Sequence, residues 1–225
     1  MESLQRRTST KFTSKLETVL PVEYESGILD VIQKSCDRVE ETWSIFNKNS
    51  ECRRSSKNWI KYPKNFWKQL VEPIENYNSS TEFNFKDYTC FLKGEVLSDA
   101  LKFILNQNLK FNFQINFGGD MVIRGYDAVE VRDSGISEII LLDNPSSIYG
   151  VFTSGNTHKR GNHIKGTSRR GMLTLISENP KAKDLASLDA LCTLTFSESL
   201  SKEESKRIAL SNGRDVYFYE HFEEG

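Results

Sequence analysis

Residues 109–117 read LKFNFQINF, and this stretch decides the class of fold. Leucine, phenylalanine and isoleucine occupy every second position, and lysine, asparagine and glutamine occupy the positions between them. Side chains of a β-strand point alternately to its two faces, so the pattern predicts a strand with one dry face and one wet face. Such strands are typical of an antiparallel sheet that covers a core on one side and faces water on the other.

More strand patterns follow toward the carboxyl terminus. Gly118-Gly119-Asp120 is typical of a turn, and the strand-like runs after it are MVIRGY, AVEVR, SEIILLD, IYGVFT, GMLTLIS, LCTLTFS and DVYFYEHF. The connections among the first of these runs are too short for helical crossovers, so the sequence predicts an antiparallel meander. Ser201 and Glu204 form a capping-box pattern, which predicts the start of a helix before the last strand.

The amino-terminal part has a helical period instead. Residues 23–47 carry apolar side chains at steps of three and four, namely Ile28, Ile32, Cys36, Val39, Trp43 and Phe46. A second stripe of this kind covers residues 96–105, just before the alternating stretch. We therefore expect an α+β fold in which amino-terminal helices pack on a mostly antiparallel β-sheet, for which a jelly roll is one form.

Length and composition set the domain organisation that we expect. The 225 residues suffice for one domain of ordinary size, and a hydrophobic content of 37% is typical of a folded protein. Residues 1–20 are polar and predict a flexible arm, residues 21–78 a helical segment and residues 79–225 an α+β core domain. The helical segment and the core domain could equally form a single domain.

Charge and cysteine content limit the kinds of site. Thirty basic and 31 acidic residues give a net charge of −1, so attraction to a polyanion must come from local patches. The four cysteines are widely spaced and form no CxxC pair, and we predict neither a metal site nor a cofactor. The sequence shows no signal-peptide pattern and no transmembrane segment, so we expect an intracellular protein, cytoplasmic or nuclear.

One basic patch is the stretch 157–171, THKRGNHIKGTSRRG. It contains no carboxylate, and its cations are Lys159, Arg160, Lys165, Arg169 and Arg170. Glycines allow backbone N–H groups to approach an anion, and hydroxyl and guanidinium groups are good phosphate ligands. The spacing does not match a P-loop, so nucleotide hydrolysis is not predicted. Basic runs of this kind are also common in solvated loops without a ligand.

A second basic patch lies in residues 51–68, ECRRSSKNWIKYPKNFWK. The candidate contacts are Arg53, Arg54, Lys57 and Lys61 for phosphate, and Trp59 and Tyr62 for stacking on unpaired bases. Cations with interleaved aromatic residues are typical of single-strand binding. Together the two patches predict a non-catalytic nucleic-acid-binding protein, with single-stranded RNA as its preferred partner.

Two alternatives use other parts of the sequence. His158 and His163 would serve as the base and the acid of a metal-independent ribonuclease. The amphipathic helix at residues 23–47 would instead bind a protein partner, which would make the chain a protein–protein interaction module.

Two short stretches resemble known families. Residues 119–149, in which strands lead to LLD at residues 141–143, resemble the core of plant-virus movement proteins. This resemblance implies a virus-encoded transport protein that binds single-stranded nucleic acid. Asp120 and residues 130–132, EVR, resemble the Asp…Glu-x-Lys metal site of a large nuclease superfamily. An arginine stands where that site has lysine, however, and arginine cannot deprotonate to act as a base.

Overall fold

A computed structural model describes residues 4–11, 14–44, 47–54, 62–63, 66–80, 89–108, 110–133, 136–155 and 171–222. The helices in this part of the chain are α1 (Val22–Trp43), α2 (Glu51–Arg54), α3 (Val71–Ser80), α4 (Leu92–Asn106), α5 (Leu185–Phe196) and α6 (Lys202–Ser211). The strands are β1 (Leu4–Lys11), β2 (Ser14–Pro21), β3 (Phe113–Phe117), β4 (Asp120–Arg124), β5 (Ala128–Asp133), β6 (Ile136–Leu141), β7 (Ile148–Gly155), β8 (Gly171–Glu178) and β9 (Tyr217–Phe222). None of the described helices combines the length and the hydropathy needed to cross a bilayer.

The main sheet contains strands from both ends of the chain. Its order is β1-β2-β3-β4-β7-β8-β9, and each neighbouring pair is antiparallel. β5 and β6 pair with each other in a separate two-stranded sheet. The predicted α+β fold with a mostly antiparallel sheet is therefore confirmed. The order in the sheet follows the order in the chain, so the sheet is a meander and not a jelly roll.

Different layers cover the two faces of the main sheet. Apolar side chains of α1, α4 and α5 join Phe117 and Phe152 in a large core on one face. The β5–β6 hairpin packs on the other face, where Met121 and Val151 contribute to a second core. β4, β7 and β8 are thus buried on both faces, and their burial is almost continuous along each strand and does not alternate.

The alternating stretch forms β3 as expected. Phe113, Ile115 and Phe117 are buried, whereas Gln114 and Asn116 on the opposite face are only partly buried. This strand has helices on one face and no hairpin on the other, so its alternation persists.

A two-residue turn joins β3 to β4. Gly118 and Gly119 have φ angles of 62° and 98°, a conformation that side chains disfavour, and Phe117 pairs with Asp120 across the turn. Asp120 therefore lies at the end of the sheet, directly after the Gly118-Gly119 turn.

Residues assigned to a flexible arm contain two strands of the main sheet. β1 forms its edge, and β2 pairs with β3 and places Leu16 and Leu20 in the large core. β1 itself reads LQRRTSTK, which lacks an apolar alternation because an edge strand buries little surface. The division into arm, helical segment and core domain stays a prediction, although one core contains residues from all three.

Residues 191–197, predicted as a strand, lie in helix α5 up to Phe196. Every residue of α5 is buried, so the helix has no polar face and no amphipathic period. A short apolar run without a period cannot be assigned to helix or strand from sequence alone.

α4 and α5 approach each other most closely at Gly94. A Cβ atom at Gly94 would lie 2.6 Å from the Leu185 carbonyl oxygen and 2.7 Å from Cβ of Asp189. Only hydrogen fits there, because backbone and helix-bound atoms cannot move away from an added methyl group.

We expect Gly94→Ala to lower the free energy of unfolding by about 1–3 kcal/mol, the usual cost of overpacking a rigid contact. Gly27→Ala in α1 is the matched control, because its Cβ would lie 3.3 Å from the ring edge of the partly buried Phe103. That change should be neutral or should stabilise by up to about 1 kcal/mol through helix propensity. Urea denaturation of both variants measures the difference, and equal stabilities would contradict the close helix contact.

Candidate functional site

Polar groups gather at one end of the main sheet. The β3–β4 turn, the last residues of β7 and the first residues of β8 lie at this end, where Gly155 pairs with Met172. The first turn of α4 reaches the same end, since Lys93 Nζ donates a hydrogen bond to the Gly118 carbonyl oxygen at 3.3 Å. This end of the sheet is therefore where side chains from several elements can act together.

An ion pair ties α4 to the sheet. Lys93 Nζ lies 2.5 Å from Asp120 Oδ2, and the Asp120 side chain is almost completely buried. The backbone N–H of Thr153, on β7, donates to Asp120 Oδ1 at 2.9 Å. Asp120 thus connects three elements, namely β4, β7 and the start of α4.

A second carboxylate comes from the fully buried helix α5. The backbone N–H of Gly94 donates to Asp189 Oδ2 at 2.7 Å. The first N–H groups of a helix have no partner within the helix, and the helix dipole favours a negative charge at this position. We name Lys93, Asp120 and Asp189 the buried charge cluster, in which both carboxyl groups are buried and the Lys93 side chain is 27% exposed.

The cluster has two acids and one base, and the pKa values of the three groups reflect this excess of acid. Burial, reinforced by the charge of Asp120, raises the pKa of Asp189 well above its usual range. Burial also raises the pKa of Asp120, more than the nearby Lys93 lowers it. Burial opposes the charge of Lys93, but Asp120 and then Asp189 outweigh that effect and raise the pKa of the lysine. The lysine therefore remains charged, and the carboxylates retain a proton to higher pH than exposed acids do.

Hydroxyl and thiol groups surround the cluster. Ser154 Oγ and Thr193 Oγ1 lie 3.1 Å apart, which links β7 to α5. Cys192 Sγ donates to the Phe152 carbonyl oxygen at 3.2 Å, and burial followed by the charge of Asp120 raises the pKa of this thiol to about 12. Cys192 is therefore a neutral packing residue near neutral pH, not a nucleophile.

The oxygen atoms near the cluster are of the kind that Mg²⁺ prefers. Thr193 follows Asp189 by four residues, so the two side chains lie on the same side of α5. Carboxylate and hydroxyl oxygens are hard ligands for such an ion. Within the described residues, no three side chains of the His, Cys, Asp and Glu types come together as a metal site. A cation bound here would therefore need hydroxyl, water or substrate oxygens in addition to carboxylates.

The structure places only part of the predicted basic and aromatic site. Arg53 and Arg54 lie in the short helix α2, Arg53 partly buried and Arg54 exposed. Tyr62 is partly buried, packs against Phe66 and donates from its hydroxyl to Glu75 Oε1 at 2.8 Å. It is thus engaged within the protein and not presented for base stacking. The remaining predicted residues lie outside the described ones, namely Lys57, Trp59, Lys61, His158, Lys159, Arg160, His163, Lys165, Arg169 and Arg170.

Two other sequence-based hypotheses do not fit the geometry. The apolar stripe of helix 23–47 belongs to α1 and is buried in the large core through residues such as Ile28 and Ile32, so it does not present a surface to a partner. Glu130 lies on the hairpin that covers the opposite face of the sheet and forms two 2.7 Å hydrogen bonds with Arg132. Asp120 and Glu130 therefore do not form a nuclease-type metal site.

Sequence reasoning considered Asp120 only as part of a nuclease-type metal site, which the geometry excludes, and it did not consider Lys93 or Asp189. A signal for Asp189 exists, because it is the single ionisable acid in the otherwise uncharged run LASLDALCTLTF. A charge in such a run indicates either an exposed face or a buried functional group, and only the burial of the whole helix distinguishes the two. Lys93 has no comparable signal, since a lysine in the first turn of a helix is usually solvated.

Similarity to solved structures extends over the entire chain. A flavin transferase ApbE from Vibrio cholerae superimposes with a TM-score of 0.65 at 13% identity, covering 99% of this chain and 97% of that chain. The apo form of the Pseudomonas stutzeri flavinyl transferase ApbE gives 0.65 at 13% identity, covering 100% and 92%. An ApbE protein from Thermotoga maritima gives 0.63 at 14% identity, covering 99% and 96%. No family model and no curated protein matches the sequence.

This similarity corrects the functional predictions. At such low identity it shows a shared fold, and the Vibrio cholerae and Pseudomonas stutzeri proteins that share it over 97% and 92% of their length are flavin transferases. The predictions of a nucleic-acid-binding protein, of single-stranded RNA as partner and of a viral movement-type protein are therefore wrong. The alternatives of a ribonuclease and of an interaction module fall with them. The intracellular location, cytoplasmic or nuclear, stays a prediction.

Replacing Asp189 should show how the charge of the cluster affects the stability of the fold. A carboxyl with a raised pKa binds more protons in the folded state, so its contribution to the free energy of unfolding falls as pH rises from the unfolded pKa through the folded one. The Asp189→Asn variant keeps an oxygen that accepts the hydrogen bond from Gly94. It has no carboxyl group at this position, so its free energy of unfolding does not fall in this way as pH rises. We expect the variant to be about 1 kcal/mol more stable than the wild type at neutral pH and to approach it near pH 4.

Lys93→Met should have the opposite effect. It leaves Asp120 without its cation in a buried place, and breaking a buried pair in this way costs about 3 kcal/mol. Stability should recover partly in acid, where protonation neutralises the carboxyls. Denaturation of both variants from acid to neutral pH tests the cluster, and parallel curves for wild type and variants would show that the three charges do not interact.

Proposed function

We propose that the protein is a flavin transferase, which moves a flavin group from a donor to an acceptor. The observation that supports this most strongly is the end-to-end similarity of the fold to flavin transferases, with TM-scores of 0.61 to 0.65. The buried charge cluster supports a functional site at this end of the sheet, because groups with shifted pKa values gather at functional sites.

The cluster has the proton chemistry that group transfer requires. Transfer breaks the bond between the flavin group and the leaving group of the donor and forms a bond to the acceptor. The acceptor loses a proton, and the leaving group gains one. A carboxyl with a raised pKa holds its proton to higher pH than an exposed acid does and can pass that proton on, and burial raises the pKa of Asp189 in this way. Lys93, which stays protonated, would stabilise negative charge that develops on the leaving group.

A phosphate-bearing flavin donor needs more positive charge than the cluster offers. Two carboxylates against one ammonium give the cluster an acid excess, which disfavours a phosphate unless cations lie nearby. β7 ends and β8 begins at this same end of the sheet, and residues 156–170 form the connection between them in the sequence. We propose that the cations in this connection bind the donor phosphates, namely Lys159, Arg160, Lys165, Arg169 and Arg170.

Flavin binding and transfer are tested with FAD, FMN and riboflavin. We expect the protein to quench the fluorescence of FAD and, with a protein acceptor, to leave covalent flavin fluorescence on a denaturing gel. Lys93→Met and Asp189→Asn should reduce transfer at least about tenfold, in line with the loss of one acid–base or electrostatic group. Lys202→Met is the control, because Lys202 pairs with Glu220 on the surface and lies outside the cluster. Absence of binding to all three flavins, in buffers with and without Mg²⁺, would refute the proposal.

The phosphate role of the basic connection has its own test. Arg169→Gln combined with Arg170→Gln should weaken FAD binding about tenfold or more, since a hydrogen bond to a charged group contributes about 1.5–3 kcal/mol. Riboflavin has no phosphate, so its affinity should not change. Equal losses for FAD and riboflavin would show that these arginines act on the fold or on the flavin ring. If the affinity for neither FAD nor riboflavin falls, other residues bind the phosphates.

A further inference from the structure

The end of helix α6 presents an asparagine followed by a glycine, the order that favours deamidation. These residues are Asn212, which is partly buried, and Gly213, which is exposed. A Cβ atom added to Gly213 would meet nothing within 4 Å, so water has free access to this part of the chain. Asparagine is a thermolabile residue, and a following glycine has no side chain that hinders attack by its backbone nitrogen.

Deamidation at this pair is an intramolecular attack followed by hydrolysis. The backbone nitrogen of Gly213 forms a bond to Cγ of Asn212 and loses its proton, while the bond between Cγ and the side-chain nitrogen breaks. That nitrogen takes up the proton and leaves as ammonia, so that a five-membered imide remains. Water then opens the imide at either carbonyl group and gives aspartate or isoaspartate. The reaction therefore needs a free Gly213 N–H group and an Asn212 side chain that can turn toward it.

Hydrogen bonds at the end of α6 engage both reacting groups. Gly213 has a φ angle of 70°, and its N–H group donates to the Leu210 carbonyl oxygen at 2.8 Å. The side chain of Asn212 is directed back along the helix, because Nδ2 donates to the Ile208 carbonyl oxygen at 2.8 Å. Neither group is free to react while this helix cap is closed.

A buried ion pair holds the cap closed. The backbone N–H of Arg214 donates to the Ala209 carbonyl oxygen at 2.9 Å, which completes the Schellman arrangement of a helix end. The guanidinium of Arg214 donates from Nε to Asp184 Oδ2 and from Nη1 to the Gly213 carbonyl oxygen at 2.7 Å. Asp184 is 2% exposed and lies directly before the first residue of α5. Because a buried carboxylate without its cation is costly, the cap opens only against the strength of this pair.

We propose that Asn212-Gly213 is a deamidation site that the Arg214–Asp184 ion pair keeps unreactive in the folded protein. Reaction follows only when the last turn of α6 opens. Deamidation then places a carboxylate at the end of the helix where the dipole disfavours negative charge, and it removes the donor to the Ile208 carbonyl oxygen. The product therefore favours the open cap, at the point where the chain continues to the edge strand β9. The proposal is independent of flavin chemistry, because none of these residues belongs to the buried charge cluster.

Peptide mass spectrometry of the full chain, incubated in mildly alkaline buffer and in concentrated urea, tests the proposal. Asn212 should deamidate at least about tenfold faster in urea than in the folded wild type, because cap opening limits the reaction in the fold. Arg214→Leu should raise the rate in buffer about tenfold or more, since it releases the cap. Asp184→Asn is the milder second variant, which keeps an oxygen acceptor but removes the charge, and it should raise the rate as well. Arg132→Leu is the matched control, because it removes an exposed ion pair with Glu130 and should leave the rate unchanged.

Amide hydrogen exchange measures the same opening in the wild type, without any substitution. The Gly213 amide exchanges when its hydrogen bond to Leu210 opens, so its protection factor should agree within about tenfold with the ratio of the two deamidation rates. Equal deamidation rates in buffer and in urea overturn the proposal, and so does an unprotected Gly213 amide. Variants of Arg214 and Asp184 that are folded by circular dichroism but react no faster than the wild type, or no faster than Arg132→Leu, also overturn it.

Discussion

Asp189 lies within a helix that has no exposed side, and its charge constrains the elements packed around it. A carboxylate in such a place requires hydrogen-bond donors and a counter-charge from its neighbours. The start of α4 supplies both, through the N–H of Gly94 and the ammonium of Lys93. The helices can approach closely enough only because residue 94 has no side chain. The close packing of α4 against α5 therefore depends on Gly94 and includes the hydrogen bond from its N–H group to Asp189.

The same lysine extends the constraint to the sheet. Lys93 pairs with Asp120, which follows directly on the Gly118-Gly119 turn and accepts a hydrogen bond from the backbone of β7. Two helices, a tight turn and two strands thus meet at one end of the sheet. Two acids and one base in a buried place cost stability at neutral pH, because one negative charge has no counter-charge. Such a destabilising cluster is more readily kept where the proton of the extra acid takes part in the function of the protein.

The two faces of the sheet are covered in different ways. On the helical face, packing of α1, α4 and α5 produces the larger core and the charge cluster. On the other face, the β5–β6 hairpin covers β4, β7 and β8 but has an apolar outer surface of its own. The apolar side chains on the helical face are buried by other parts of the same chain. The hairpin on the other face leaves Ile139 and Leu141 exposed among the described residues.

Local patterns determined a large part of the fold. The alternation in residues 113–117 predicts both the strand and its buried face, because a strand with one wet side keeps the period of two. The capping box between Ser201 and Glu204 likewise predicts the start of α6, and both of its hydrogen bonds are present. The incorrect predictions of secondary structure also have physical causes. α5 resembles a strand because complete burial removes the amphipathic period, and β1 lacks an apolar pattern because it is an edge strand.

The site depended on contacts that no local pattern records. Lys93 and Asp189 lie 27 and 69 residues from Asp120, and only the folded chain shows that the three charges are close and that both carboxylates are buried. The basic stretch at 157–171 was evident from its charge density, but positive charge attracts every phosphate-bearing ligand and cannot identify one. Sequence by itself therefore determined the class of fold and the presence of local charge, which depend on neighbouring residues. The tertiary structure decided which distant charges share one buried place, because burial, and with it the pKa of each group, is a property of the packed chain.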